Sequence, residues 1–536
     1  MGGTIDGNDR ICEGTTVQHT QHIYDEENRI TSQTSVLGGR SYTSSYVYND
    51  NVASNSDPVK DGSLKQVTFS KPNKTLTFTY ESLKHLKKAT LSGVFERSYS
   101  YRAITSLRSS NQISTLSYAA NNSSLTALSY NYAYDQRGNI TEIKENGSTI
   151  AEYTYNGQNQ MVTEKRDGVT YTYTYDTAGN ILDVGSDGIY APNSYTYSDS
   201  IWQDLLTAYN GHRIYYEGQG GDAANYPVSG NPKNWYNGST YTGLTWTQGR
   251  HLTSLSKDGT DISYTYDMNG IRSTKTVGTE LHTYLTQNGQ VVRETIGTGS
   301  TAQILDFVYD NNSQPFALCY STDGGAHFYD YFYITNMQGD VVRLVDSDGT
   351  TVANYSYDAW GKLLSVKNAS GAAITDPESI ANLNPLRYRG YYYDTDTEWY
   401  YLQSRYYDPE IGRFINADLP EYSATGTLDD NNLFAYCGNN PVLHDDQDGE
   451  LCNVVIGALV GATVGAVSAA YASYKATGSI NAASVIIGAA AGALGGAISA
   501  TGLCTAGQAI ASGMISAGTN IANQLFIEKK KLNEIN

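Results

Sequence analysis

The sequence has little of what most active sites require. Its five cysteines (Cys12, Cys319, Cys437, Cys452 and Cys504) are scattered, odd in number and never spaced as CxxC. That pattern indicates neither a disulfide framework nor a structural zinc site and makes buried or idle thiols the default reading. The eight histidines include no HExxH, and GxSxG, Walker-type and kinase motifs are missing too. No metal and no cofactor is expected. Charged residues make up only 17% and lean acidic, with a net charge of −19. That sign opposes binding of nucleic acid by the body of the protein, because such binding needs Lys and Arg against phosphate. No basic segment followed by an apolar run opens the chain, so no signal peptide is read, and an exported form would make this chain a fragment of a longer product.

Phenylalanine is scarce as well, at 10 residues, whereas tyrosine reaches 47 and glycine 52. Tyr favours strands and carries a polar tip on an apolar ring. Its excess has a repeating cause. A unit close to Y-x-Y-D-x-x-G occurs at Tyr132–Gly138, Tyr173–Gly179, Tyr264–Gly270 and Tyr355–Gly361, with degenerate copies at Tyr153–Gly157 and Tyr195–Asp199. The two tyrosines lie on one face of a strand, since side chains alternate with a period of two. The Asp can accept from backbone N–H groups just ahead of it, and the Gly supplies positive φ where the chain reverses. A turn-forming Asp is the simpler reading than a calcium ligand. Each copy is a strand–turn–strand element, and such hairpins must pair with neighbours to bury a face.

This pattern resembles the YD repeats of RHS proteins, bacterial Tc-toxin C components and animal teneurins. Leu244–Arg250, Tyr331–Asn336 and Asp340–Leu344 are also similar to the family, and the resemblance spans roughly residues 95 to 450. It implies a mainly β fold in which the hairpins spiral into a hollow β-shell. The expected organisation is degenerate N-terminal repeats over 1–95, the YD-repeat shell over 96–383, an RHS-associated core over 384–450, and a variable C-terminal segment over 451–536.

Within the core, Arg405-Tyr406-Tyr407-Asp408-Pro409, then Gly412-Arg413-Phe414, and later Asn439-Asn440-Pro441-Val442 look like the family's most specific motifs. The resemblance implies an aspartic autoprotease built from Arg405, Asp418 and Asp446, cutting near Leu451. Two carboxylates held together cannot both ionise easily, so one stays protonated as an acid while the other activates water. The sequence departs from the pattern here. Gln447 stands where the family has Pro, Glu450 displaces the expected Leu to Leu451, and Asp418 is followed by Leu419 before Pro420. A purely structural seal is the competing reading of the same residues.

After Gly449 tyrosine falls away, and Val454 to Tyr474 and Ala476 to Ile527 carry no charge. Gly457, Gly461 and Gly465, and again Gly488, Gly492 and Gly496, are spaced as on one helix face. The segment 454–525 is therefore expected to be helical. Its settings are a bilayer, a soluble glycine-zipper bundle, or a place packed against the shell. The resemblance implies a secreted or surface-displayed bacterial toxin carrier. Its partners would be its own C-terminal effector segment, an immunity protein, and a target-cell surface or membrane, with the shell itself a monomer. The alternative is a surface adhesion or carbohydrate-binding module without toxin activity.

Overall fold

In the computed structural model, the described residues are 15–449 apart from 27–28, 50–61, 82–84, 106–107, 188–192, 219–228, 288, 311 and 419–431, together with the short pieces 4–6, 10–12 and 453–454. The expected glycine-zipper helices lie outside them. Among the described residues no helix is long and apolar enough to cross a membrane.

The described chain is a β-shell of antiparallel strands, and from Thr15 on most strands pair with the next along the sequence within each sheet. A 19-stranded sheet runs from Thr4 to Arg213 and a 13-stranded sheet from Trp235 to Lys367. A bridge between Tyr216 and Pro232 lies between them along the chain. Strands of the 1–95 stretch, such as Leu64–Ser70 and Asn73–Tyr80, belong to the same first sheet. The α-helix Ile380–Leu383 is a single short turn.

The repeat unit explains its own composition. The first tyrosine of each copy is buried: Tyr132, Tyr173, Tyr264 and Tyr355 expose 3–6% of their surface. The second tyrosine lies on the same face at the strand end, and its hydroxyl donates to a backbone carbonyl of the preceding strand. Tyr134 reaches Ile113 O at 2.6 Å, Tyr155 reaches Ile140 O at 2.7 Å, Tyr266 reaches Leu252 O at 2.7 Å and Tyr357 reaches Val341 O at 2.8 Å. Tyr48 and Tyr80 do the same to Ile30 O and Leu64 O in the N-terminal stretch. Phe could fill the space but would give up this hydrogen bond to the carbonyl at the end of the ladder.

The Asp then organises the loop. Asp176 Oδ1 accepts from Ala178 N and Asn180 N, both at 2.9 Å, and Asp267 and Asp358 repeat the arrangement. The following glycine takes positive φ, +79° at Gly179 and +89° at Gly361, a region other residues enter only with strain.

The buried faces of the two sheets meet. Phe69 stacks on Phe316 with ring centroids 4.3 Å apart, and Tyr118 donates to Thr335 O at 2.8 Å. A small four-stranded sheet (Tyr392–Asp394, Trp399–Leu402, Arg405–Asp408 and Arg413–Phe414) is buried throughout and packs against both large sheets. Tyr195 of the first large sheet donates to Ile411 O at 3.1 Å, while Tyr241 of the second donates to Thr397 O at 2.8 Å. Trp235 is 1% exposed and donates to Asp408 at 2.8 Å. A large ring pays for burial even in a Gly/Asn/Pro-rich stretch, provided its N–H finds a partner.

Candidate functional site

The core segment folds as a series of buried anchors. Asp394 is fully buried and holds Arg272 through both guanidinium NH2 groups at 2.5 and 3.2 Å, with Lys275 at 3.2 Å. Burial alone would raise the Asp394 carboxyl, but the two cations outweigh it and hold it below the usual carboxylate range. Four tyrosine rings surround the Arg272 guanidinium at 4.4–5.4 Å. Further along, Asn440 donates to Asn139 Oδ1 and Asn439 to Gly179 O, so the NNP motif grips the turns of two repeats.

Where the core ends, Arg405, Asp418 and Asp446 stand together. Arg405 begins the strand Arg405–Asp408, and its side chain lies over the Phe414 ring, 3.5 Å from the centroid. One guanidinium nitrogen reaches Asp418 Oδ2 at 3.1 Å and Asp446 Oδ2 at 3.2 Å. Another donates to Leu433 O at 3.1 Å, and Nε donates to Gly449 O. Asp418 is held through its backbone, whose N–H donates to Leu433 O at 2.9 Å. Asp446 N donates to the Tyr391 hydroxyl at 2.7 Å, and Asp446 Oδ1 accepts from Gly449 N at 2.9 Å. Residues 405, 418 and 446, separated by 28 positions at the last step, are thus joined by a single buried side chain.

Burial pushes the Asp446 carboxyl up to about 7; Arg405 opposes the shift, while Asp448 and Asp418 add to it. Such a group is poised to hold a proton near neutrality beside a second carboxylate, the arrangement that acid–base hydrolysis requires. Sequence reasoning missed Asp448, whose side chain hydrogen-bonds that of Asp446. It also missed Tyr391, Gln403 and Ser404, which hold the segment in place. The Asp-x-Asp spacing in Asp446-Gln447-Asp448 was the one available signal. Leu451, the expected cut position, lies outside the described residues. Asn453–Val454 pairs antiparallel with His444–Asp445. Among the described residues no group of His, Cys, Asp and Glu is arranged to hold a metal ion.

The fold and this closing segment make an antiparallel β-shell similar to those of YD-repeat proteins. Residues 244–442 match the teneurin YD-shell family. The chain is 31% identical over 327 residues to the tRNA3(Ser)-specific nuclease WapA of Bacillus spizizenii, covering 60% of this chain but 12% of that protein. It is also 35% identical over 88 residues to the double-stranded DNA deaminase toxin A of Burkholderia cenocepacia, covering 16% and 6% of the two chains. Among solved structures, the TcdB2–TccC3–TEV crystal structure superposes with a TM-score of 0.62 at 18% identity, over 81% of this chain and 21% of that one. The Photorhabdus luminescens Tc holotoxin pore superposes with 0.53 at 17% identity, over 82% and 24%.

Proposed function

We propose that this chain is the closing part of a toxin-carrying shell, secreted or displayed at a bacterial surface, which presents the segment after Gly449 for delivery and releases it by cutting itself near residue 450. The toxin relatives support the carrier reading. The observation that carries the release step is the seating of Arg405, which joins the Asp418 and Asp446 carboxylates and also donates to the Gly449 carbonyl.

The chemistry is hydrolysis. Water adds to a peptide carbonyl carbon between Gly449 and Asn453, losing a proton to the Asp418 carboxylate. The C–N bond breaks, and the departing nitrogen takes a proton from the Asp446 carboxyl. Arg405 offsets the negative charge that gathers on the cluster. An immunity partner and a target-cell surface follow from the carrier reading, as they would for any toxin whose producer must survive it.

Mass spectrometry of freshly folded full-length protein tests this. The wild type yields a shell fragment and a C-terminal fragment beginning between residues 450 and 453, and Asp446→Asn remains whole. A wild-type chain that stays intact at 58.4 kDa for days overturns the release step and makes the cluster a seal.

A further inference from the structure

The tight turn between two strands of the small sheet, Leu402 to Arg405, touches the end of the shell in a regular way. Three consecutive residues meet three consecutive carbonyls. Gln403 Nε2 donates to Gln447 O at 3.3 Å. Ser404 donates to Asp448 O twice, from Oγ at 2.7 Å and from its backbone N at 3.2 Å. Arg405 Nε donates to Gly449 O.

The turn is built for this approach. Gln403 adopts φ +58° and Gly449 φ +75°. A Cβ added to Gly449 would lie 2.6 Å from Ser404 Oγ, 2.7 Å from Leu402 O and 3.2 Å from Arg405 N, so only glycine admits the turn so closely. The carbonyls accept side-chain and main-chain donors from the turn rather than from a sheet neighbour, which leaves the grip dependent on these few groups. On the far side of the segment, the Tyr391 hydroxyl holds Asp446 N.

We propose that the turn Leu402–Arg405 is a register clamp, in which Gln403 and Ser404 are positioning residues that hold the exit segment Asp446–Gly449 in one alignment. Where the release step of the preceding section operates, the same clamp fixes which peptide bond meets the cluster; the holding itself does not depend on that reading. Glu450 and Leu451 follow directly from the third gripped carbonyl. A slip of one residue would place a different bond beside Asp418 and Asp446.

Hydrogen exchange and product-end mapping on the full chain test it, with Ser404→Ala, Gln403→Ala and Ser404→Thr. With its hydroxyl gone, Ser404→Ala exchanges the amides of residues 446–449 about fivefold faster than wild type. Peptides from the repeats, such as 260–277, keep their rates. Ser404→Thr, which retains the hydroxyl, restores the wild-type value. In the cleaving protein the wild type gives a C-terminal fragment with one N-terminus, and Ser404→Ala gives several. Wild-type exchange at 446–449 in both alanine variants, or faster exchange everywhere, overturns the clamp. A wild type that never cuts removes the release step alone, and the exchange measurement still decides the clamp.

Discussion

The repeats and the core solve the same problem, covering apolar faces, by opposite means. In the hairpins from Leu128 to Ser186 the ties that shape each unit are local, although Met337 N also donates to the Tyr132 hydroxyl across 205 residues and Ala359 N to Glu164 across 195. Tyr155 reaches back 15 residues and Tyr175 14, and each loop Asp serves N–H groups two and four positions ahead. In the core they are remote. Asp408 takes Trp235 across 173 residues, Asp394 takes Arg272 across 122, and Asn440 takes Asn139 across 301. Local ties fix the geometry of each hairpin, as in other repeat folds. Remote ties cost more chain entropy to close and repay it only when the whole shell is assembled. The repeats set the shape, and the core ties distant parts of it together.

The comparison breaks first where the charges are deepest. Asp394→Ala leaves Arg272, 1% exposed, without its carboxylate, and should cost about 3–5 kcal/mol in chemical denaturation. Removing Lys165, which pairs with Glu152 while both stay about half exposed in the repeats, should cost far less, because solvent screens the pair. Equal losses from the two changes would mean that the core is no more of a linchpin than a surface hairpin. Glycines give the next contrast. Gly361 (φ +89°) faces the Tyr388 ring of the core, 2.5 Å from where a Cβ would stand, whereas Gly259 (φ +81°) has nothing within 4 Å. Both alanine variants carry the left-handed strain of about 1–2 kcal/mol. Gly361→Ala adds about 1–3 kcal/mol of overpacking, measured as a difference in denaturation midpoint at equal slope.

The repeats were legible because their signals are local. Y-x-Y-D-x-x-G places the strand, the loop and the left-handed residue within seven positions. One copy is hidden for the same reason: Phe307-Val308-Tyr309-Asp310 lacks the glycine, and Ser313 takes φ +59° in its place. In Tyr333-Ile334-Thr335-Asn336, within the family-like stretch Tyr331–Asn336, Asn336 stands in for the Asp and accepts from Gln338 N and Asp340 N. In the core, motif resemblance pointed to Arg405, Asp418 and Asp446, and the fold brings them together. The residues that hold the exit segment were not legible. Gln403 and Ser404 act through a turn whose neighbours lie 44 positions later, and nothing in their own sequence marks that meeting.

Acidity acts in both regions, since burial, with Glu164 adding, raises Asp358 of a repeat turn to about 7 as well. Burial raises Asp408 to about 7, with Glu410 adding and Trp235 and Asn237 opposing, and it raises Asp445 to about 6 and Asp446 to about 7. A carboxyl with a raised folded pKa binds more protons folded than unfolded between its two values. Stability therefore falls as pH rises from near 3.8 through those folded values. His444, lowered to about 4 by burial and Arg389, works the other way, losing stability as pH falls below 6.5. These carboxyls outweigh one histidine, so thermal melting should be higher at pH 5.5 than at pH 8. Replacing Asp408 with Asn should flatten the difference. A melting temperature that rises toward pH 8 would show that these carboxyls ionise without cost.

The smallest effect tests the comparison hydroxyl by hydroxyl. Tyr155 and Tyr400 each donate one hydrogen bond to a backbone carbonyl, Tyr155 to Ile140 O at 2.7 Å within the repeats and Tyr400 to Gly361 O at 2.8 Å between core and shell. Phenylalanine keeps both rings and removes only the donor. Tyr155 is partly exposed at its strand end, so water can replace the lost partner. Its loss should be about 0.5–1 kcal/mol, the net worth of an ordinary hydrogen bond. Tyr400 is fully buried, and no solvent reaches the carbonyl it leaves behind. That loss should approach the desolvation penalty of an unpaired group, about 1–3 kcal/mol. Denaturant titrations of the two variants give the difference directly, because ring volume is unchanged in both. Equal small losses would mean that the core relaxes around a missing donor as easily as a hairpin end does, and the contrast between local and remote ties would then rest on charges and glycines alone.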